Sequence, residues 1–158
     1  EGYNIADLGW GTANAKTVTV SFWVNSSVTG NYGLTLRGGS SPTYYVSSYS
    51  IPVANTWTYV TIPVTASTTG TWGGGSGCGI EIGFAIWNGS VYAPASANTW
   101  TNGNFTGANS LALSGNVLTT TGSSIQWTGV QFEPGNVATP FEFRTIHSEL
   151  QLCQRYFL

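Results

Sequence analysis

Three stretches of this chain alternate apolar and polar or outward side chains with a period of two. Val18, Val20, Phe22 and Val24 are interleaved with Thr17, Thr19, Ser21 and Trp23; Val60, Ile62 and Val64 with Tyr59, Thr61 and Pro63; Ile80, Ile82, Phe84 and Ile86 with Glu81, Gly83, Ala85 and Trp87. Successive side chains of a strand point to opposite faces, so this pattern predicts strands with one face on a core. Further strands are predicted at Gly33–Arg37, Tyr44–Ser50, Asn116–Thr119 and Ser124–Glu133. Turn-forming clusters separate them: Thr29-Gly30-Asn31, Gly38 to Pro42, Thr68 to Gly79, Asn102-Gly103-Asn104 and Thr121-Gly122-Ser123. Short strands at this spacing predict an all-β jelly-roll sandwich. Pro52 and Pro63 belong at strand ends or edges, because proline cannot donate to a central ladder. The glycines from Gly73 to Gly77 read as a flexible loop within one domain.

One helix is predicted, from about Thr145 to Phe157. Ile146, Leu150, Cys153 and Phe157 form a single apolar stripe, Thr145 caps its start, and Glu149 sits in the early part, where negative charge is favoured. The expected division is therefore a sandwich over residues 1–144 and an amphipathic helix over 145–158, packed on the sandwich or leading to a further segment. The chain begins on Glu1 and stops with the stripe still running, so it is expected to belong to a longer protein. Cys78 and Cys153 have no metal-ligand or redox spacing; both are expected as free thiols, Cys153 buried as a small apolar residue.

Charge excludes several functions. Charged residues are 6% of the chain, with four Lys and Arg in all, too few for a stripe that neutralises several phosphates or attracts anionic lipid. Nucleic acid is thus not an expected partner. No apolar run approaches the roughly 18 residues of a membrane helix, and insertion into a membrane is not expected. Disorder is not expected either, since 41% of residues are apolar and the net charge is only −2.

Catalytic chemistry has few candidates. His147, the only histidine, falls on the predicted helix with no nucleophile and carboxylate to complete a triad. A glycosidase needs two carboxyl groups flanking the sugar bond. Of the candidates, Glu81 faces outward from its strand, while Glu133 and Glu142 are expected to accept backbone hydrogen bonds or pair with Arg144. No zinc site is expected. Calcium would need oxygen ligands, for which Asp7, Glu133 and Glu142 are the candidates. No cofactor and no enzymatic activity are expected.

The aromatic content points to binding. Seven Trp and eight Tyr stand among many Asn, Thr, Ser and Gly. A flat ring stacks on the apolar face of a sugar, and short amides and hydroxyls meet its hydroxyl edge. Trp72 and Trp100 lie in loops, and Trp23 and Trp87 point away from the strand core; these four, with Tyr92 and Asn102, are the candidate glycan-binding residues. Tyr44, Tyr45, Asn88 and Asn98 are secondary candidates. Trp10, Trp57 and Trp127 are expected in the core.

The end of the chain carries a resemblance. Trp127-Thr128-Gly129-Val130-Gln131-Phe132-Glu133-Pro134-Gly135, then Ala138-Thr139-Pro140-Phe141-Glu142-Phe143-Arg144 and Leu152-Cys153-Gln154-Arg155-Tyr156-Phe157, resembles the C-terminal module of bacteriophage tail fibres and other virion appendages. The opening Glu1-Gly2-Tyr3-Asn4-Ile5-Ala6-Asp7-Leu8-Gly9-Trp10-Gly11, Ala54 to Pro63, and Thr69-Gly70-Thr71-Trp72 are similar to the same module. The resemblance implies a carbohydrate-binding-module-like jelly roll exposed on a virion, acting outside the cell at the host surface. It implies host glycan and other virion proteins as partners, and a trimer in the intact protein. It supplies no set of ligand residues. The alternatives are a structural virion protein, for capsid decoration or oligomerisation, and more remotely a polysaccharide depolymerase.

Overall fold

The structure is a computed structural model that describes residues 1–38, 43–73, 75–87, 96–103, 114–115 and 117–154. Within them seven strands follow one another: β1 Val18–Ser26, β2 Gly30–Gly38, β3 Thr43–Ile51, β4 Thr58–Val64, β5 Ile80–Ala85, β6 Thr101–Asn102 and β7 Ile125–Pro134. They form two antiparallel sheets, one ordered β4-β1-β7 and the other β5-β2-β3-β6. The protein is an all-β sandwich with a short helix, α2 (Ile146–Gln154), near its C-terminal end. A second short helix, α1 (Gly2–Ile5), and a single turn of 3₁₀ helix, Ala6–Leu8, precede the first strand and were not anticipated.

The alternation does what it predicts. Val18, Val20, Phe22 and Val24 from one sheet and Leu34, Leu36, Tyr45 and Ile51 from the other are almost wholly buried. Phe22 meets Tyr49 and Phe84 edge-on across the interior, with ring centres 5.1 and 5.0 Å apart. Edge-to-face packing of this kind suits the positive rim and negative face of aromatic rings. Pro63 lies in β4, an edge strand, where its missing N–H costs no ladder bond.

Several local expectations are corrected. Asn116 lies outside the described residues, and the remainder of the strand expected at Asn116–Thr119 is turn and bend with Val117 buried, followed by a turn that Ser123 N–H closes by donating to Thr120 O at 3.1 Å. Asn102 was read as turn but pairs with Thr43 as part of β6. The Gly-rich loop is tied to the start of the chain: Gly2 and Tyr3 N–H groups donate to Gly77 O and Gly75 O. Helix α2 starts as expected, with Thr145 Oγ1 accepting from Ser148 N–H at 3.3 Å. None of its residues is buried, however, and Ile146 is 88% exposed. Cys153 is exposed with them, against the expectation of burial, as is Leu150 of the same stripe. Both cysteines are free thiols.

Candidate functional site

The tryptophans divide into two groups. Trp10, Trp72 and Trp100 converge, with ring centres 4.7, 5.1 and 5.2 Å apart and steep interplanar angles. Each indole N–H is satisfied within the chain: Trp10 donates to Lys16 O at 2.7 Å, Trp72 to Thr69 O at 3.1 Å and Trp100 to Thr65 O at 2.7 Å. Trp10 is buried, and the other two pack against the core. Trp72 and Trp100 do come from loops, but the structure uses them to close one end of the sandwich. Trp127 also packs on the core, stacked on Phe84 and donating to Tyr49 Oη at 3.1 Å.

The second group faces outward. Trp23 is 42% exposed although its neighbours Phe22 and Val24 are fully buried. It is the cross-strand partner of Tyr59, and their ring centres lie 5.1 Å apart at an interplanar angle of 41°. Trp57, expected in the core, is 44% exposed. Val60, Ile62 and Val64 occupy the inward positions of β4, and Trp57 stands in the connection just before that strand.

A third ring reaches this face through a bulge. Between Ser21 opposite Gln131 and Trp23 opposite Thr128, β7 contains one residue more than β1. Gly129 sits there with φ +58°, a left-handed conformation that glycine adopts without Cβ strain. A Cβ at Gly129 would stand 3.5 Å from Trp23 Cδ1 and 3.8 Å from Phe141 Cδ2, so the two rings flank the glycine. Trp23, Tyr59, Pro140 and Phe141 thereby wall an open groove of about 380 Å³, with Ser21, Gly129, Ala138 and Thr139 completing it. Among the described residues no charged side chain lines it.

Segment 136–144 is held over the sheet by side chains of β7. Glu133 accepts from Thr139 N–H at 2.9 Å, from Thr139 Oγ1 at 2.6 Å and from Gln131 Nε2 at 3.0 Å, while Gln131 Oε1 accepts from Glu142 N–H at 2.9 Å. The bonds from Thr139 and Gln131 hold the Glu133 carboxyl below its ordinary pKa. Thr19 Oγ1 adds a bond to Gly135 O at 2.9 Å. Glu142 pairs with Arg144 at 3.2 Å, as its place in the sequence suggests.

This network uses the residues that calcium would need. Glu133 and Glu142 line one cavity with Arg144 between them and Glu149, and Asp7 lies apart in the turn Ala6–Leu8. Among the described residues no group of three His, Cys, Asp or Glu side chains is placed to hold a metal ion. Glu81, the remaining carboxylate considered for sugar chemistry, is locked to Arg37 by two hydrogen bonds of 2.9 Å. His147 lies exposed on α2 within 3.2 Å of Gln151 Nε2.

Of the residues singled out from the sequence, Trp23 is in the groove and Trp87 is exposed on the other sheet. Asn102 lies on β6 beside Thr43, and Tyr92 and Asn88 fall outside the described residues. Tyr44 and Tyr45 are buried, and Asn98 N–H donates to Val46 O. Tyr59, Phe141 and Trp57 were missed as site residues. Tyr59 was legible, since it stands at an outward position in its strand; Phe141 was not, because only the fold of 136–144 brings it to Trp23. No family model, curated protein or solved structure matches this chain.

Proposed function

We propose that this domain is a non-enzymatic, glycan-binding module of a phage tail fibre or related virion appendage. The observation that carries the binding reading is the uncharged groove walled by Trp23, Tyr59 and Phe141 on the outer face of the three-stranded sheet. Two tilted rings side by side offer apolar faces to consecutive sugar units, and the neighbouring Ser21 and Thr139 hydroxyls suit a hydroxyl edge. Soluble proteins rarely leave several large rings on one face without a partner for them. The virion setting is supported by the sequence resemblance quoted above, and a weak site of this kind gains strength from many copies on one particle.

The non-enzymatic part rests on the carboxylates. A glycosidase keeps one carboxyl group protonated as a general acid. Here Glu133 is pushed the opposite way, and Glu81 and Glu142 are paired with arginines.

The test is binding of the domain, displayed at high valency, to a panel of glycans and host envelopes, read by tryptophan fluorescence. Saturable binding that falls about tenfold, or roughly 1.4 kcal/mol, in Trp23→Ala and Tyr59→Ala is expected. Binding unchanged in both variants overturns the assignment of the groove.

A structural role in the particle is favoured by a different observation. Phe143, Ile146, Leu150 and Leu152 are all exposed around α2. On this reading Leu150→Asp changes the assembly state seen by light scattering while glycan binding per chain stays the same.

A further inference from the structure

The outer face of the four-stranded sheet carries a trough that shares no residue with the aromatic groove. It has a volume of about 330 Å³ and runs along β5 and the residues just after it. Its floor is made of small side chains. Thr35 is paired with Gly83, and Ala85 follows two residues on, pointing to the same side. A Cβ on Gly83 would fall 2.5 Å from Thr35 Oγ1, so glycine is what lets the floor lie flat here.

The two ends of the trough differ chemically. At one end the cross-strand pair Arg37 and Glu81 is joined through Nε to Oε2 and Nη2 to Oε1, both at 2.9 Å, and remains in contact with solvent. Cys78 Sγ approaches Glu81 Oε1 at 3.9 Å. At the other end stands Trp87, 46% exposed. From Glu81 to the end of β5 at Ala85 the strand covers roughly 13 Å, and Trp87 stands two residues further on.

We propose that this trough is a second carbohydrate subsite, taking a short run of neutral hexopyranose units with one sugar face on Trp87 and a hydroxyl edge on the Arg37–Glu81 pair. A bidentate arginine–carboxylate pair sets N–H donors and carboxylate lone pairs side by side. A sugar hydroxyl, both donor and acceptor, can bond to the two at once. The pair carries no net charge, so it offers little to an anionic sugar: a ligand carboxylate reaches Arg37 only against the repulsion of Glu81. The span accommodates more than one ring, and the small floor admits them without a clash. The trough belongs to a different sheet from the aromatic groove, so one domain would hold glycan on two separate faces and link neighbouring chains.

Labelling the tryptophans with ¹⁵N separates the two sites, because each indole N–H gives its own signal. The labelled domain is titrated with gluco-, manno- and galacto-configured neutral hexasaccharides, and with oligogalacturonate as the anionic counterpart. The Trp87 signal, identified from the Trp87→Phe spectrum, is expected to shift saturably with at least one neutral probe. Arg37→Met and Glu81→Gln are each expected to weaken that response about tenfold. In both variants the Trp10 signal, deep in the core, stays in place and reports an intact fold.

The proposal is overturned if no neutral probe moves Trp87, if oligogalacturonate binds there as well as the neutral probes do, or if the Arg37 and Glu81 variants bind as the parent does. A Trp87 response without one from Trp23 keeps the trough and removes the groove; the reverse removes the trough alone. Silence of both removes both.

Discussion

Trp10, Trp72 and Trp100 can be set against Trp23, Trp57 and Tyr59. The first three interlock edge to face, donate their N–H groups to backbone carbonyls and close one end of the sandwich. In the second set Trp23 and Tyr59 face each other across β1 and β4, Trp57 stands just before β4, and all three are exposed. Residue type is nearly the same, but the first three stand near glycines, whereas no glycine lies within five residues of the second three. The difference is whether the indole nitrogen finds a partner inside the fold. A buried N–H without one is costly, so a tryptophan whose N–H meets a carbonyl can be packed away. Tryptophans near turns are therefore poor guides to an exposed surface, whereas an aromatic at an outward strand position is a good one.

The largest effect is expected from the buried cluster. Trp10→Ala should cost about 3–5 kcal/mol in urea unfolding, because it empties a site filled on three sides by Trp72, Trp100 and Phe132. A loss below 1 kcal/mol would erase the distinction between the two sets.

A second prediction concerns Trp127, which stands between them. Its N–H donates to Tyr49 Oη, and burial pushes the Tyr49 hydroxyl up to about 12. The unfolded chain ionises Tyr49 near pH 10, while the folded chain holds the proton. The unfolded state thus binds fewer protons in this window, and stability falls from pH 10 to about 12. The drop should approach roughly 2–3 kcal/mol. Tyr49→Phe should be less stable at neutral pH but flatter across the alkaline range in thermal melts.

Two smaller effects sharpen the surface side of the comparison. Gly129→Ala places a side chain at φ +58° beneath Trp23 and Phe141, and should cost about 1–2 kcal/mol while weakening glycan binding. Binding undiminished in this variant would separate Phe141 from the site. Glu133 tethers Thr139, two residues before Phe141, and its pKa is lowered. Its contribution is complete above the ordinary carboxylate range near 4.5 and is lost as pH falls through the lowered folded value. For an exposed group this amounts to roughly 0.5–1 kcal/mol. Glu133→Gln should remove that acid-side dependence in pH-resolved denaturation and leave the neutral-pH fold in place.

Some of the molecule can be read without coordinates. The inward and outward faces of β1, β4 and β5 follow from alternation alone, because a strand has only two faces and a core accepts only one of them. That logic already placed Trp23, Tyr59 and Trp87 outside. It does not reach Trp57, which lies just before β4 and outside the alternating run. The Thr145 cap was legible for a similar reason, since a cap acts within one helical turn.

What lay beyond the sequence was everything that depends on distant segments meeting. Trp72 and Trp100 are 28 positions apart in the numbering, and no local rule brings them onto Trp10. Helix α2 has an apolar stripe none of whose residues in Ile146–Gln154 is buried, and a stripe does not say where its partner is. Period-two patterning is a local property of an extended backbone, so the sandwich class and the faces of its strands are written in the residues themselves. Which loop aromatics are buried, and which ring joins Trp23 and Tyr59 at the groove, is set by the way distant segments meet. That choice turns on the Gly129 bulge, on the tether of Thr139 to Glu133, and on carbonyls that meet indole nitrogens across the fold, all of them contacts between residues that local patterning cannot see.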